Sequence, residues 1–327
     1  MWSNQVLFKR WFESCPQTPE NRVLVTGSHR SGTTWVGTIL AAHEEAEFIH
    51  EPLNPTDGHP LMRKAVRHNY SYICPRNERP FLEGFRGVLK AGCQAEECWK
   101  AHVRHSWSVI KDPFALFSVP WFALRFNCRS VITVRQPVSL ISSLKRLQWH
   151  FDHRHLLEQP LLMRDWLGPY RAEMKAVIGG PADDVIAQGC LLWRMIYGVV
   201  ARMKDVVPPT VIVRHEDLSL DPWAGFYDLH DKLGVSTGAP TDKAIEFFSN
   251  SLNPKEASVE PPHTVALDSR ANLDNWKHRL SEAEVDRIRR LTADVASLYY
   301  TEAELDDFAA AHQPRRLPFA VSQKRAA

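Results

Sequence analysis

The chain is short of cysteine. Six in 327 residues (Cys15, Cys74, Cys93, Cys98, Cys128 and Cys190) are too few and too scattered for a disulfide framework, so reduced thiols are expected. It also lacks an excess of either charge: 40 Lys and Arg against 38 Asp and Glu leave +2, which excludes a general polyanion binder such as a nucleic-acid coat. Long apolar runs are missing too. The least polar stretch, Phe114 to Phe126, is well short of the roughly 20 residues that cross a bilayer and is broken by Pro120 and Arg125, so no membrane span is expected. Met1 to Arg10 has neither an apolar core nor a small-residue cleavage site, which sets the expectation of a cytoplasmic protein. No internal repeat or low-complexity tract is present.

What is present is the composition of a globular protein, 44% hydrophobic and 24% charged. Its hydrophobic period switches repeatedly between short β-branched runs and longer stretches with apolar residues three and four apart. That alternation predicts an α/β protein with a central parallel sheet flanked by helices; together with the loop motif and the resemblance given below, the expectation is a P-loop-like, three-layer fold. Strands are expected at 22–26, 47–50, 108–111, 130–135 and 210–214. Helices are expected from about Ser31 to Ala42, from Pro137 through Leu147, from Gln188 to Lys204, and from a capping box at Ser281 and Glu284 through Tyr299. Residues 52–107 interrupt the alternation with Pro, Asn, Gly and weak helical patterns, and 253–275 reads as a long loop. The expected organisation is one domain over 1–312 carrying the 52–107 insertion, then a basic flexible tail at 313–327.

The chemistry is concentrated in Gly27-Ser28-His29-Arg30-Ser31-Gly32-Thr33-Thr34-Trp35, which follows a predicted strand and opens a predicted helix. Two glycines permit a tight turn with inward amides, and the helix N-terminus adds partial positive charge; Arg30, Thr33 and Thr34 supply further donors. A phosphate group fits such a cradle. The spacing Gly27-x4-Gly32 matches the start of a nucleotide-triphosphate loop, but Thr33 stands where that loop has its Lys, and Arg30 carries the cation instead. Asp112 is a formal candidate for a metal-binding Asp. A second anion site is suggested by Arg135 at a strand end, with Ser143 two turns into a helix opened by Pro137.

These pieces resemble the sulfotransferases that use 3′-phosphoadenosine 5′-phosphosulfate (PAPS). Arg30-Ser31-Gly32-Thr33-Thr34-Trp35 resembles their 5′-phosphosulfate loop; Val134-Arg135-Gln136-Pro137 with Ser143 resembles the 3′-phosphate motif. Val213-Arg214-His215-Glu216-Asp217-Leu218 and Asn275-Trp276-Lys277 resemble two further family segments, so the likeness spans about 22–300. It implies PAPS as sulfuryl donor without a metal, Arg30 beside the bridging oxygen, Lys111 on the sulfuryl oxygens, and Ser269 and Arg270 in a region that closes over the nucleotide. The His that serves as base in phenol and steroid enzymes would fall on Pro113, so it is missing. Phe48-Ile49-His50-Glu51-Pro52 resembles the Glu-Pro of enzymes acting on sugars, which makes Glu51 the favoured base. His50, expected on the opposite strand face, Asp112 and a residue of the insertion are the alternatives.

The expected acceptor is therefore a hydroxyl of a carbohydrate, glycolipid or other polar natural product. The rival readings are a P-loop kinase or nucleotide hydrolase, which metal-independent binding of adenosine 3′,5′-bisphosphate (PAP) would exclude, and a noncatalytic nucleotide-binding scaffold. Cys93, Cys98, His102 and His105 have zinc-ligand chemistry without a standard finger's spacing, and ordinary thiols are expected there. The basic cluster of Arg146, His150, His153, Arg154 and His155 is a candidate rim for a polar or anionic acceptor. Trp149, Trp166, Tyr170, Trp193 and Trp276 are candidate stacking platforms, though most are expected to be packing residues.

Overall fold

A computed structural model describes residues 21–43, 46–91, 107–203, 210–257 and 265–312. Five strands, β1 (Asn21–Gly27), β2 (Ala46–His50), β3 (Trp107–Lys111), β4 (Cys128–Val134) and β5 (Thr210–Arg214), form one parallel sheet in the order β2-β3-β1-β4-β5. Both faces are covered, as the continuous apolar runs require. Successive residues of β1 feed opposite layers: Leu24 joins a core with Ile110 and Ile132, whereas Val23 and Val25 join Val109 and Val131 on the other side.

The helices are α1 (Thr33–Leu40), α2 (Arg79–Ala91), α3 (Val119–Phe126), α4 (Pro137–Arg146), α5 (Arg171–Ile178), α6 (Val185–Met203), α7 (His215–Leu220), α8 (Pro222–Leu233), α9 (Ala239–Ser249) and α10 (Glu282–Ala296), with shorter turns between them. Pro137 opens α4, and the Ser281–Glu284 capping box opens α10. α10 stops at Ala296, before Tyr299, because Thr301 caps a separate short helix over Glu302–Asp306.

Two expectations change. α2 is a firm amphipathic helix inside the 52–107 stretch, burying Phe81, Phe85 and Val88. Its glycines and charges mask it locally, but Phe85 packs edge-on against Phe122 and Phe126 of α3, so tertiary contact supplies what propensity does not. α6 is long and apolar enough to cross a membrane by length and composition; in the fold it packs against α4 and α10, with Trp193, Met195, Ile196 and Tyr197 at 0% exposure. The Cys93, Cys98, His102 and His105 cluster and the 313–327 tail lie outside the described residues.

The order of the strands positions the site. After β1 the chain crosses to β2 at one edge and returns to β3; it then passes to β4 on the other side of β1. The direction of winding reverses at β1, which leaves a crevice above its carboxyl end.

Candidate active site

The loop after β1 is built by close packing. Gly27 has φ 158°, and a Cβ there would lie 2.5 Å from Thr133 Oγ1 on β4. Ser31 ties the turn together: its hydroxyl donates to Ser28 O at 2.5 Å and lies 2.6 Å from Thr133 Oγ1. Gly32 has φ 95°, and a Cβ would meet the buried His215 ring at 2.6 Å. Only glycine takes this backbone with that neighbour. The following residue begins α1, whose first-turn amides have no intrahelical acceptor.

Above the loop lies a cleft of about 590 Å³. Arg30, Gly32, Thr33, Thr34 and Trp35 line it from β1 and α1, His50 and Glu51 from β2, Arg135 and Ser143 from β4 and α4, and Ser269 from the long loop before α10. The two predicted cradles are joined: Arg30 Nε donates to Ser143 Oγ at 3.1 Å, and Arg135 Nη1 donates to Arg30 O at 3.0 Å. Trp193 Nε1 donates to Arg135 O at 2.9 Å from within the core, which fixes the strand tip. Arg30 also lies over Trp149, 5.5 Å from the ring centroid.

Two further guanidiniums, Arg146 and Arg279, line the same cleft. Burial, with Arg135, Arg146 and Arg279 nearby, pushes Arg30 down to about 10, and burial also lowers Arg135 and Arg146. Three lining donors are buried without a hydrogen-bond acceptor among the described residues: Trp35 Nε1, Arg135 Nε and Arg146 Nε. A pocket with surplus cations and orphaned N–H groups is complementary to a polyanion rich in acceptor oxygens.

The β2–β3 side is organised around one carboxylate. Glu51 Oε1 receives Lys111 Nζ at 2.5 Å, and Oε2 receives Asn54 Nδ2 at 2.8 Å. Burial opposes the Glu51 charge, but Lys111 and Asn54 outweigh it and hold the carboxyl below its ordinary value. Lys111 itself is 1% exposed and does not line the cleft; burial lowers its pKa against the pull of Glu51. Lys111, expected on the sulfuryl oxygens, contacts Glu51 in this structure. His50 and Glu51 both border the cleft, contrary to the expected alternation, because Glu51 lies beyond the strand with φ 43°. Asp112 is 0% exposed and accepts Leu53 N and Phe114 N, a role in shaping the 51–54 turn rather than in holding a metal.

Other predicted groups are placed elsewhere. Arg270 is exposed and outside the cleft lining. Arg214 pairs with Asp217 and Glu304, and Glu216 accepts Gln136 N and Tyr300 Oη, so the β5–α7 segment braces the site, with His215 and Ser219 alone reaching the lining. Lys277 pairs with Asp274. Of the basic cluster only Arg146 lines the cleft; His153 is buried and His155 Nδ1 accepts Asn69 N. Of the aromatic candidates only Trp149 lines it, and Trp166 and Tyr170 pack beneath Arg202 and Arg194. Among the described residues no group of three His, Cys, Asp or Glu forms a metal site. Arg279 and His29 are lining residues that the sequence reading did not single out. Arg279 follows the Asn275-Trp276-Lys277 segment by two residues, and His29 sits inside the loop already under discussion.

No protein-family model matches the chain, and no curated protein matches it in sequence. Solved structures that it resembles include a sulfotransferase domain from the curacin biosynthetic pathway, at TM-score 0.44 and 16% identity over 85% of this chain and 99% of that one. A sulfotransferase domain from the Synechococcus olefin synthase gives 0.47 and 16% over 87% and 97%, and a mouse sulfotransferase complexed with PAP gives 0.46 and 12% over 94% of each. At TM-scores below 0.5 these likenesses assign no role to any residue, and the chemistry of the cleft rests on its own side chains.

Proposed function

We propose that this chain transfers a sulfuryl group from PAPS to a hydroxyl of a carbohydrate, glycolipid or other polar natural product. The observation that carries the reading is the joining of Arg30 and Arg135 in one donor-rich cleft that also holds an ionised Glu51. PAPS, when bound, supplies an SO3 group on a phosphate leaving group, passed in line through a loose transition state. The orphaned donors Trp35 Nε1, Arg135 Nε and Arg146 Nε fit its acceptor oxygens, and Trp35, Phe248, Val265 and Leu267 offer an apolar wall for its base.

In this reading Arg30, Thr33, Thr34 and the first amides of α1 hold the 5′ end and offset negative charge developing on the departing phosphate. Arg135, Ser143 and Arg146 hold the 3′ phosphate. Glu51 orients the acceptor hydroxyl and takes its proton as the new oxygen–sulfur bond forms and the sulfur–phosphate-oxygen bond breaks. Lys111 keeps Glu51 ionised, so the base is ready at neutral pH.

Calorimetric titration with PAP in the presence of EDTA tests the donor site, and sulfur-labelled PAPS with a panel of hydroxyl acceptors, read by mass spectrometry, tests the transfer. Metal-independent PAP binding with label on a polar acceptor is the expected result. PAP binding without label on any acceptor would instead favour the scaffold reading, and nucleotide binding only with Mg2+ the kinase reading.

A further inference from the structure

His29 is held by a residue that bears on which of its nitrogens carries the proton. Tyr70 is fully buried, and its phenol oxygen accepts the His29 backbone N–H at 3.1 Å while lying 2.7 Å from Nδ1. A phenol has one hydrogen to give, and of the two side chains it interacts with, His29 and Ser28, the imidazole Nδ1 at 2.7 Å is the more basic acceptor. Burial, reinforced by Arg30, pushes the imidazole down to about 4 against the opposing charge of Glu51, so the ring is neutral at pH 7. A neutral imidazole that accepts at Nδ1 must carry its hydrogen on Nε2. Phe114, Trp149 and Phe151 surround the ring at centroid distances of 6.2–6.5 Å and oppose its reorientation. His29 lines the cleft together with Arg30 and Glu51, and Nε2 has no hydrogen-bond partner among the described residues.

We propose that His29 is a catalytic residue that gives its Nε2–H to an oxygen of the sulfuryl group in flight, with Tyr70 as the positioning residue that fixes the donor tautomer. The inference rests on the sulfuryl-transfer reading above. His29 neither gains nor loses a proton in the step: the acceptor proton still goes to Glu51, and the imidazole stabilises charge as it builds on oxygen. A group acting on the sulfuryl oxygens is indifferent to the nucleophile, so water can stand in for the unidentified acceptor.

The tautomer is read directly by nitrogen-15 NMR of the imidazole, in the free protein and with PAP bound. A protonated Nε2 and an unprotonated Nδ1 are expected, and the reverse overturns the proposal without reference to activity. Hydrolysis of PAPS to PAP is then measured for His29→Leu, His29→Gln and Tyr70→Phe. His29→Leu should lower kcat about a hundredfold, with kcat/KM falling equally and PAP affinity unchanged. His29→Gln, whose amide donates from a similar position, should recover part of the loss, and Tyr70→Phe should lose part of the rate while admitting the second tautomer. Wild-type hydrolysis rates in His29→Leu with PAP binding intact would defeat the role of His29 alone. Failure of the unaltered protein to bind PAP would defeat the sulfotransferase reading itself, and circular dichroism of each variant separates either result from misfolding.

Discussion

Glu51→Gln is the most exposing perturbation, because Glu51 joins the chemistry to the stability of the site. The carboxylate is 16% exposed and its partner Lys111 1% exposed, so the pair is largely removed from water. Deleting one member of a buried pair costs about 3–5 kcal/mol; the glutamine oxygen can still accept from Nζ, which places this variant at or below the lower end, about 2–3 kcal/mol. Loss of a general base costs about a hundredfold in turnover, or about 2.7 kcal/mol of transition-state stabilisation. The two quantities are measured separately, by urea denaturation and by single-turnover transfer from saturating PAPS to a labelled acceptor. The pH dependence follows from the lowered Glu51 pKa. A carboxyl whose folded pKa lies below its unfolded value of about 4.5 contributes stability that is present above that value and lost as pH falls through the folded one. Glu51→Gln should therefore weaken the acid loss of stability. In Lys111→Met, burial acts on Glu51 against Asn54 and His50 alone, so the acid limb of turnover should move to higher pH. Unchanged turnover in Glu51→Gln, or an unmoved acid limb in Lys111→Met, would refute this account of the base.

Three other outcomes follow from the same geometry. Gly32→Ala forces a left-handed alanine against the His215 ring and should cost about 1–3 kcal/mol in a denaturation curve, with weaker PAP binding by calorimetry. Arg135→Lys keeps the charge but loses the fork, and PAP affinity should fall about tenfold; for the unaltered protein, PAP at a hundred times Kd should raise stability by about 2.7 kcal/mol. Burial raises the Asp112 carboxyl to about 7 despite the Leu53 and Phe114 amides, so its contribution to stability is complete below its unfolded value and is lost as pH rises through about 7. Denaturation from about pH 4 to about pH 7 should show that decline in the unaltered protein and lose it in Asp112→Asn.

The sequence by itself determined the parallel α/β sheet, because strands buried on both faces must be continuously apolar and the helices between them amphipathic. It also determined the cradle after β1, since Gly27, Gly32 and the opening of α1 are consecutive and their backbone requirements are local. It did not reveal α2, whose glycines and charges hide a helix that exists through Phe85 packing on α3. Tertiary structure alone decided that Arg146 and Arg279, far apart in the chain, share a cleft with Arg30 and Arg135. It also turned Lys111 away from the cleft and onto Glu51, and the left-handed backbone at Glu51 brought two neighbouring side chains to one opening. Contacts such as Tyr70 on His29 join residues 41 positions apart and leave no periodic trace. Local backbone preference and hydrophobic period are written along the chain, whereas charge clustering and proton placement depend on which distant side chains the sheet order brings together.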